Sequence, residues 1–240
     1  MIAIVKTVFS GALLLTLTAC AGTYHSYIDN LQLAFAKADD VTLSLTEVIN
    51  APSDLLSVKH GDRAVAAMAL HSIEAGQHKW ISADNALLVM QQGRLVRTLG
   101  FSNDLLYLTN TIADPLRNHD KISADSNWLR LADWQAGEYG YALRSRFEVI
   151  PGQTLEFFQQ PLQTTLVVEH VQYDNKSAYL RFDGQWQNRF WFDTASGTLI
   201  KSEQRLAPFW QPLSMTYISR IARLLPPVEA APAQGSHNAN

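Results

Sequence analysis

Between Asp54 and Arg220 the chain alternates apolar and polar residues with period two, the pattern of strands that bury one face. It is clearest over residues 141–149. There Tyr141, Leu143, Ser145, Phe147 and Val149 share one face, and Ala142, Arg144, Arg146 and Glu148 share the other. Leu166, Val168 and His170 alternate with Val167, Glu169 and Val171, a mixed pattern that fits a strand covered on both faces. Asp183-Gly184 suits a two-residue hairpin turn between arms at 178–182 and 185–192, because Gly accepts the positive φ such turns require. His60-Gly61-Asp62, Ala75-Gly76, Gln92-Gly93, Asn175-Lys176 and Ser196-Gly197 mark further turns. About eleven to thirteen strands result, spaced by roughly 8–12 residues where the turns are clear. Upstream, Tyr27, Ile28, Leu31, Phe35 and Ala38 form a helical stripe within residues 23–38. A second short helix starts at Thr46 and stops before Ala51-Pro52, since Pro52 pushes its predecessor out of helical conformation. Residues 114–126 are poor in strand formers and read as a longer loop with a short helix. The expected fold is mainly all-β: one antiparallel barrel-like or strongly curved sheet or sandwich domain, with one or two short N-terminal helices.

The N-terminus alters this picture. Lys6, an apolar run from Val8 to Leu17 and a small residue before Cys20 make a secretory signal. The sole Cys in 240 residues stands where a bacterial lipoprotein signal places its lipidated residue, in Leu17-Thr18-Ala19-Cys20. The expected organisation is a signal peptide at 1–19, an anchor-proximal helical segment at 20–52, the β domain at 53–225 and a disordered Pro/Ala/Asn tail at 226–240. With its thiol acylated at Cys20 the mature chain can form no disulfide, so stability must come from a packed core. Loss of Lys6 with the signal takes the net charge from -3 to -4, one positive charge fewer. The charges are well mixed, without the cationic face that nucleic-acid binding needs. Arg144, Arg146, Glu148, Lys201, Glu203 and Arg205 fall at mid-strand. Each Arg or Lys at a bilayer midplane costs about 2–4 kcal/mol, so these strands do not suit a membrane-spanning barrel.

Few residues carry obvious chemistry. The seven His residues stand apart, and no pair has the i, i+4 spacing of a helical metal site. His71 and His78 flank a hairpin and read as polar residues near a turn. Nucleophile elbow, phosphate loop and dinucleotide fingerprint are absent, and no metal or cofactor is expected. Asp183 and Asp193 would lie about 33 Å apart on an extended arm, too far for an acid pair acting on one glycosidic bond. No catalytic residue is therefore assigned. Trp186, Phe190 and Phe192 share one face of a strand and Trp191 takes the other, which suits core packing. The remaining constellation is Trp80-Ile81-Ser82-Ala83-Asp84, then the run from Gly93 to Gly100 with Arg94 and Arg97, then Asp104-Leu105. Arg94 and Arg97 face opposite sides of a strand because their separation is odd. One of them is then free to be internal and paired, with Asp84 or Asp104 as candidate partners. Trp80, Asp84, Arg94, Arg97 and Asp104 are thus the candidate residues, either for a buried clamp or for a polar groove that takes an anionic sugar.

That constellation, Trp-x-Ser-x-Asp followed by Gly-Arg-Leu-Val-Arg-Thr-x-Gly and Asp-Leu, resembles the YjbF/GfcB family of outer-membrane lipoproteins from exopolysaccharide and group 4 capsule operons. The resemblance implies a non-enzymatic accessory role in polysaccharide secretion or assembly. It further implies an envelope protein partner of the export system and possible contact with glycan. Ala21, where an Asp would favour inner-membrane retention, implies by likeness to sorted lipoproteins an anchor in the outer membrane, facing the periplasm. The apolar stretches at 64–70 and 166–168 motivate an alternative, a carrier that holds a lipid or acylated ligand in a β cavity.

Overall fold

The computed structural model describes residues 39–174, 184–208 and 210–226. The signal peptide, Cys20, the helical stripe before Asp39, the hairpin arm and turns at 175–183 and the tail after Pro226 lie outside the described residues. A one-turn helix α1 (Leu45–Ile49) comes first. Ser44 caps it, accepting from Glu47 N while its own N–H donates to the Glu47 carboxylate, so two end donors are satisfied reciprocally.

Twelve strands follow: β1 (Leu55–His60), β2 (Ala66–Glu74), β3 (Gln77–Ser82), β4 (Leu87–Gln91), β5 (Arg94–Leu99), β6 (Leu105–Leu108), β7 (Asn127–Trp134), β8 (Glu138–Phe157), β9 (Gln160–Tyr173), β10 (Gln185–Asp193), β11 (Leu199–Gln204) and β12 (Leu213–Thr216). Two short 3₁₀ segments, Thr111–Ala113 and Pro115–Lys121, occupy the connection between β6 and β7, where a loop with a short helix was expected. Every ladder is antiparallel, and the sheet order is β5-β4-β3-β2-β1-β12-β11-β10-β9-β8-β7-β6. Read as a ring, this is an up-and-down meander in which the last strand returns to the first. The sheet forms a nearly closed barrel whose one seam lies between β5 and β6.

The alternation seen in the sequence decides what fills it. Trp128, Arg130, Ala132 and Trp134 of β7, Leu143, Ser145 and Phe147 of β8, and Trp186, Asn188 and Phe190 of β10 are buried. Trp80, Trp128, Trp134, Phe190 and Tyr217 are the largest of the fully buried side chains. A smaller apolar cluster lies on the other face: Leu166 and Val168 of β9, Trp191 of β10 and Ile200 of β11, with Ile221 and Leu225 against them. β9 is therefore covered on both faces, which explains its mixed pattern.

Ile221 belongs to helix α2 (Ile218–Leu224) and Leu225 is its C-cap, in a stretch the strand count had reached into. Its spacing Ile218, Ile221, Leu224, Leu225 is helical rather than alternating, and the face it offers packs over Ile200. Arg223 fastens it by a two-pronged ion pair to Asp54 (2.7 and 2.9 Å), and Ser219 Oγ accepts from Leu55 N at 2.8 Å.

Candidate functional site

A charged network crosses the barrel interior. Arg94 of β5 donates through Nε to Asp114 Oδ2 at 2.8 Å and through Nη2 to Asp114 Oδ1 at 3.3 Å; its Nη1 reaches Glu169 of β9. Arg130 of β7 meets the other oxygen of Glu169 at 3.2 Å and donates to Ser145 Oγ at 2.6 Å. Ser145 and Asn188 donate to Glu169 at 2.5 and 2.8 Å. Two guanidinium groups thus face two carboxylates, and all four residues are buried. Arg94 also lies 4.8 Å over the Trp128 ring and 4.9 Å over Phe190, and Arg130 lies 4.0 Å over Trp128.

Electrostatics in this core outweigh burial at two of three positions. Burial alone would raise the Glu169 carboxyl, yet the Arg94 and Arg130 charges hold it at about 2. Burial would likewise discharge Arg94, but Asp114 and Glu169 hold it firmly protonated. At Arg130 burial prevails and lowers the guanidinium to about 10, with Arg94 adding repulsion; it still carries its charge at neutral pH. The charged groups pair with one another, so the cluster fastens β5, β7 and β9 and the loop at Asp114 together.

The five candidate residues do not meet in one groove. Trp80 is buried in the core with its ring edge-on to Tyr217, 6.1 Å between centroids. Asp84 sits exposed in the turn after β3, accepting from Ser82 Oγ. Arg97 is exposed on β5. Arg94 is the internal arginine, but its partners are Asp114 and Glu169 rather than Asp84 or Asp104. The odd separation from Arg97 predicted an internal arginine; the carboxylates come from across the barrel and from a loop, distances a local motif cannot encode.

Asp104 has a different task, at the seam. Its carboxylate accepts from Thr98 Oγ1 (2.8 Å), Gly100 N (3.0 Å) and Phe101 N (3.2 Å), while Thr98 Oγ1 accepts from Leu105 N (2.9 Å). Side chains thus bridge β5 and β6 where the ladder is missing. Gly93 completes the construction: its φ is +82°, and a Cβ there would stand 2.1 Å from Leu199 Cδ2. Between the termini of the run, then, Gly93 seats the β4–β5 turn on β11, Arg94 ties β5 to β9, and Thr98 with Asp104 shuts the seam.

The cavity beside Arg130, Trp134 and Asn188 measures about 20 Å³, room for about one water. Ligand pockets run to about 300–1,000 Å³, so this particular cavity is far below the size an acyl chain needs. Larger cavities open at the two ends of the barrel. One, of about 560 Å³, is lined by the β1–β2, β5–β6 and β11–β12 connections, with His60, Phe101, Asn103 and Trp210 among its walls. The other, of about 340 Å³ at the opposite end, gathers His78, Arg117, His119 and Arg220. No cluster of three or more metal-ligating side chains occurs among the described residues.

Comparison with known proteins gives a consistent picture. In Escherichia coli K12, the uncharacterized lipoprotein GfcB is 30% identical over 206 residues, spanning 85% of this chain and 94% of that protein. The uncharacterized lipoprotein YjbF of the same strain is 30% identical over 209 residues, spanning 85% and 93%. The crystal structure of the hypothetical lipoprotein YmcC, also from E. coli K12, superimposes with a TM-score of 0.65 at 29% identity, covering 82% of this chain and 93% of that one. Residues 28–218 match the family described as group 4 capsule polysaccharide lipoprotein gfcB, YjbF, and the chain therefore belongs to the YjbF family of lipoproteins.

Proposed function

We propose that the protein is a lipid-anchored accessory of capsule or exopolysaccharide secretion, tethered through Cys20 to the outer membrane and facing the periplasm, where it serves an envelope partner of the export system without catalysing a reaction. The observation that carries this reading is family membership over residues 28–218, under a description that names a capsule polysaccharide lipoprotein. Two features of the molecule support it. The sole cysteine stands at the lipidation position of a signal sequence. The buried carboxylates Glu169 and Asp114 are both paired with arginines, so these two serve as strand ties rather than as the two acids glycoside cleavage uses.

Comparison of the native chain with Cys20→Ser tests the reading, with outer-membrane fractionation and cell-associated polysaccharide measured in the same cultures. The expected result is loss of both. Loss of anchoring with undiminished polysaccharide would reject the tethered role, and unchanged anchoring would reject lipidation at Cys20.

A further inference from the structure

We propose that the 560 Å³ cavity at the seam end of the barrel is a saccharide-binding site, with Trp210 and Phe101 as stacking faces and His60, Arg63, Asn103 and Gln211 as hydrogen-bonding groups. The proposal rests on the capsule reading above and gives it a place of contact. The volume lies within the ~300–1,000 Å³ of small-molecule sites. Its lining has the composition a sugar ring asks for. Flat aromatic faces suit the C–H side of the ring, and planar amide and guanidinium groups offer donors and acceptors at fixed spacing to neighbouring hydroxyls.

Three details point to a ligand. His60 Nδ1 is buried and has no hydrogen-bond partner among the described residues. Burial, aided by the charge of Arg63, lowers the imidazole's affinity for a proton and favours its neutral form, in which one ring nitrogen is an acceptor. Phe101 and Trp210 are only partly buried, so ring surface remains open toward the cavity. The walls are also held in advance of any ligand. Asp104 pins the backbone at Gly100 and Phe101, Asn103 Oδ1 accepts from Ala136 N at 2.8 Å, and the Phe101 ring is edge-on to His60 at 5.5 Å. Gly61 lets the Gln211 side chain lie against its backbone, since a Cβ there would come within 2.8 Å of Gln211 Cβ.

The opposite cavity lacks this character. Its rings, Trp80, Phe192 and Tyr217, are buried in the core, and the face of Phe192 is already covered by His119, stacked at 4.0 Å.

The test uses the full lipidated chain in detergent, with fragments of a few sugars released by mild acid from the producing strain's own polysaccharide. Saturation-transfer NMR measures binding, and melting curves confirm that each variant is folded. Saturable binding is expected, weakened about ten-fold or more by Trp210→Ala and clearly by Gln211→Ala, and unchanged by Arg117→Ala in the other cavity. Absence of saturable binding by the native chain would overturn the proposal. So would binding that survives both Trp210→Ala and Gln211→Ala, or that follows Arg117→Ala instead. The polysaccharide yield of Cys20→Ser cells separates the two readings: if yield falls while fragments fail to bind, the accessory role stands and this site does not.

Discussion

At the scale of single residues, Glu169 is the pivot of the molecule. It lies fully buried between two arginines, so removing its charge leaves Arg130 without its carboxylate and Arg94 with Asp114 alone. Glu169→Gln is expected to cost about 3–5 kcal/mol, read as a fall in the urea midpoint with an unchanged slope. Its titration sets a pH dependence whose sign follows from linkage. In the unfolded chain the carboxyl takes up a proton below about pH 4.5, whereas the folded one resists until about pH 2. The stabilisation is therefore complete above about 4.5 and is lost as pH falls toward 2, a change on the order of 3 kcal/mol. Urea titrations at stepwise lower pH should show this loss, and its absence would mean that Glu169 is not held ionised by the arginines. Arg97→Ala and Asp84→Ala, both at exposed positions, should each stay within about 0.5 kcal/mol of the native chain by the same measurement. Arg94 could be read from the sequence as an internal arginine, but its partners could not. Glu169 lies 75 residues away and Asp114 in a loop. A signal did exist: Glu169 shares an otherwise apolar face with Val167 and Val171, and Arg130 lies between Trp128 and Ala132 on another. A lone charge on an inward face predicts a buried partner without saying which.

Among the elements, the seam between β5 and β6 is the least self-sufficient. Backbone pairing ends there, and its closure depends on Thr98 and Asp104. Asp104→Ala leaves Thr98 Oγ1 and the N–H groups of Gly100 and Phe101 without their acceptor, a loss of about 1–3 kcal/mol. Hydrogen exchange should accelerate at Gly100, Phe101 and Leu105 more than across the β8–β9 ladder, and uniform acceleration would show that the clamp is not local. Gly93→Ala is expected to destabilise by a similar ~1–3 kcal/mol, through both its positive φ and the clash with Leu199. Turns built on Gly61, Gly76, Gly93 and Gly197 were legible because glycine advertises positive φ. The turn between β8 and β9 was not. Phe158 and Gln159 occupy it at φ of 49° and 62°. Phe158, like Leu155, Phe157 and Leu162, packs against the outer cluster, and that contact offsets a conformation its residue type disfavours. Helix α2 was missed for a related reason: seven residues give too short a periodic signal to outweigh a run of preceding strands.

For the whole molecule, twelve strands and an antiparallel sheet were within reach of the sequence, since turn spacing counts strands and short connections make neighbours antiparallel. Barrel, sandwich and curved sheet were not separable, because that choice depends on whether β12 finds β1, and nothing local encodes it. The pairing of Ser57 with Thr216 through His60 with Leu213 is accordingly the most distant ladder in the sheet. All other neighbours in the ring are consecutive in the chain, which makes the order of assembly readable from the topology. A chain that emerges N-terminus first can assemble β1 to β5 as one local meander and β6 to β11 as another as each appears. Neither curl can close on the other until β12 arrives, so both carry open strand edges until then. A chain ending before Leu213 should therefore be a preferred target of proteases and chaperones, recovered as aggregate or fragments, whereas one ending at Pro226 should fold.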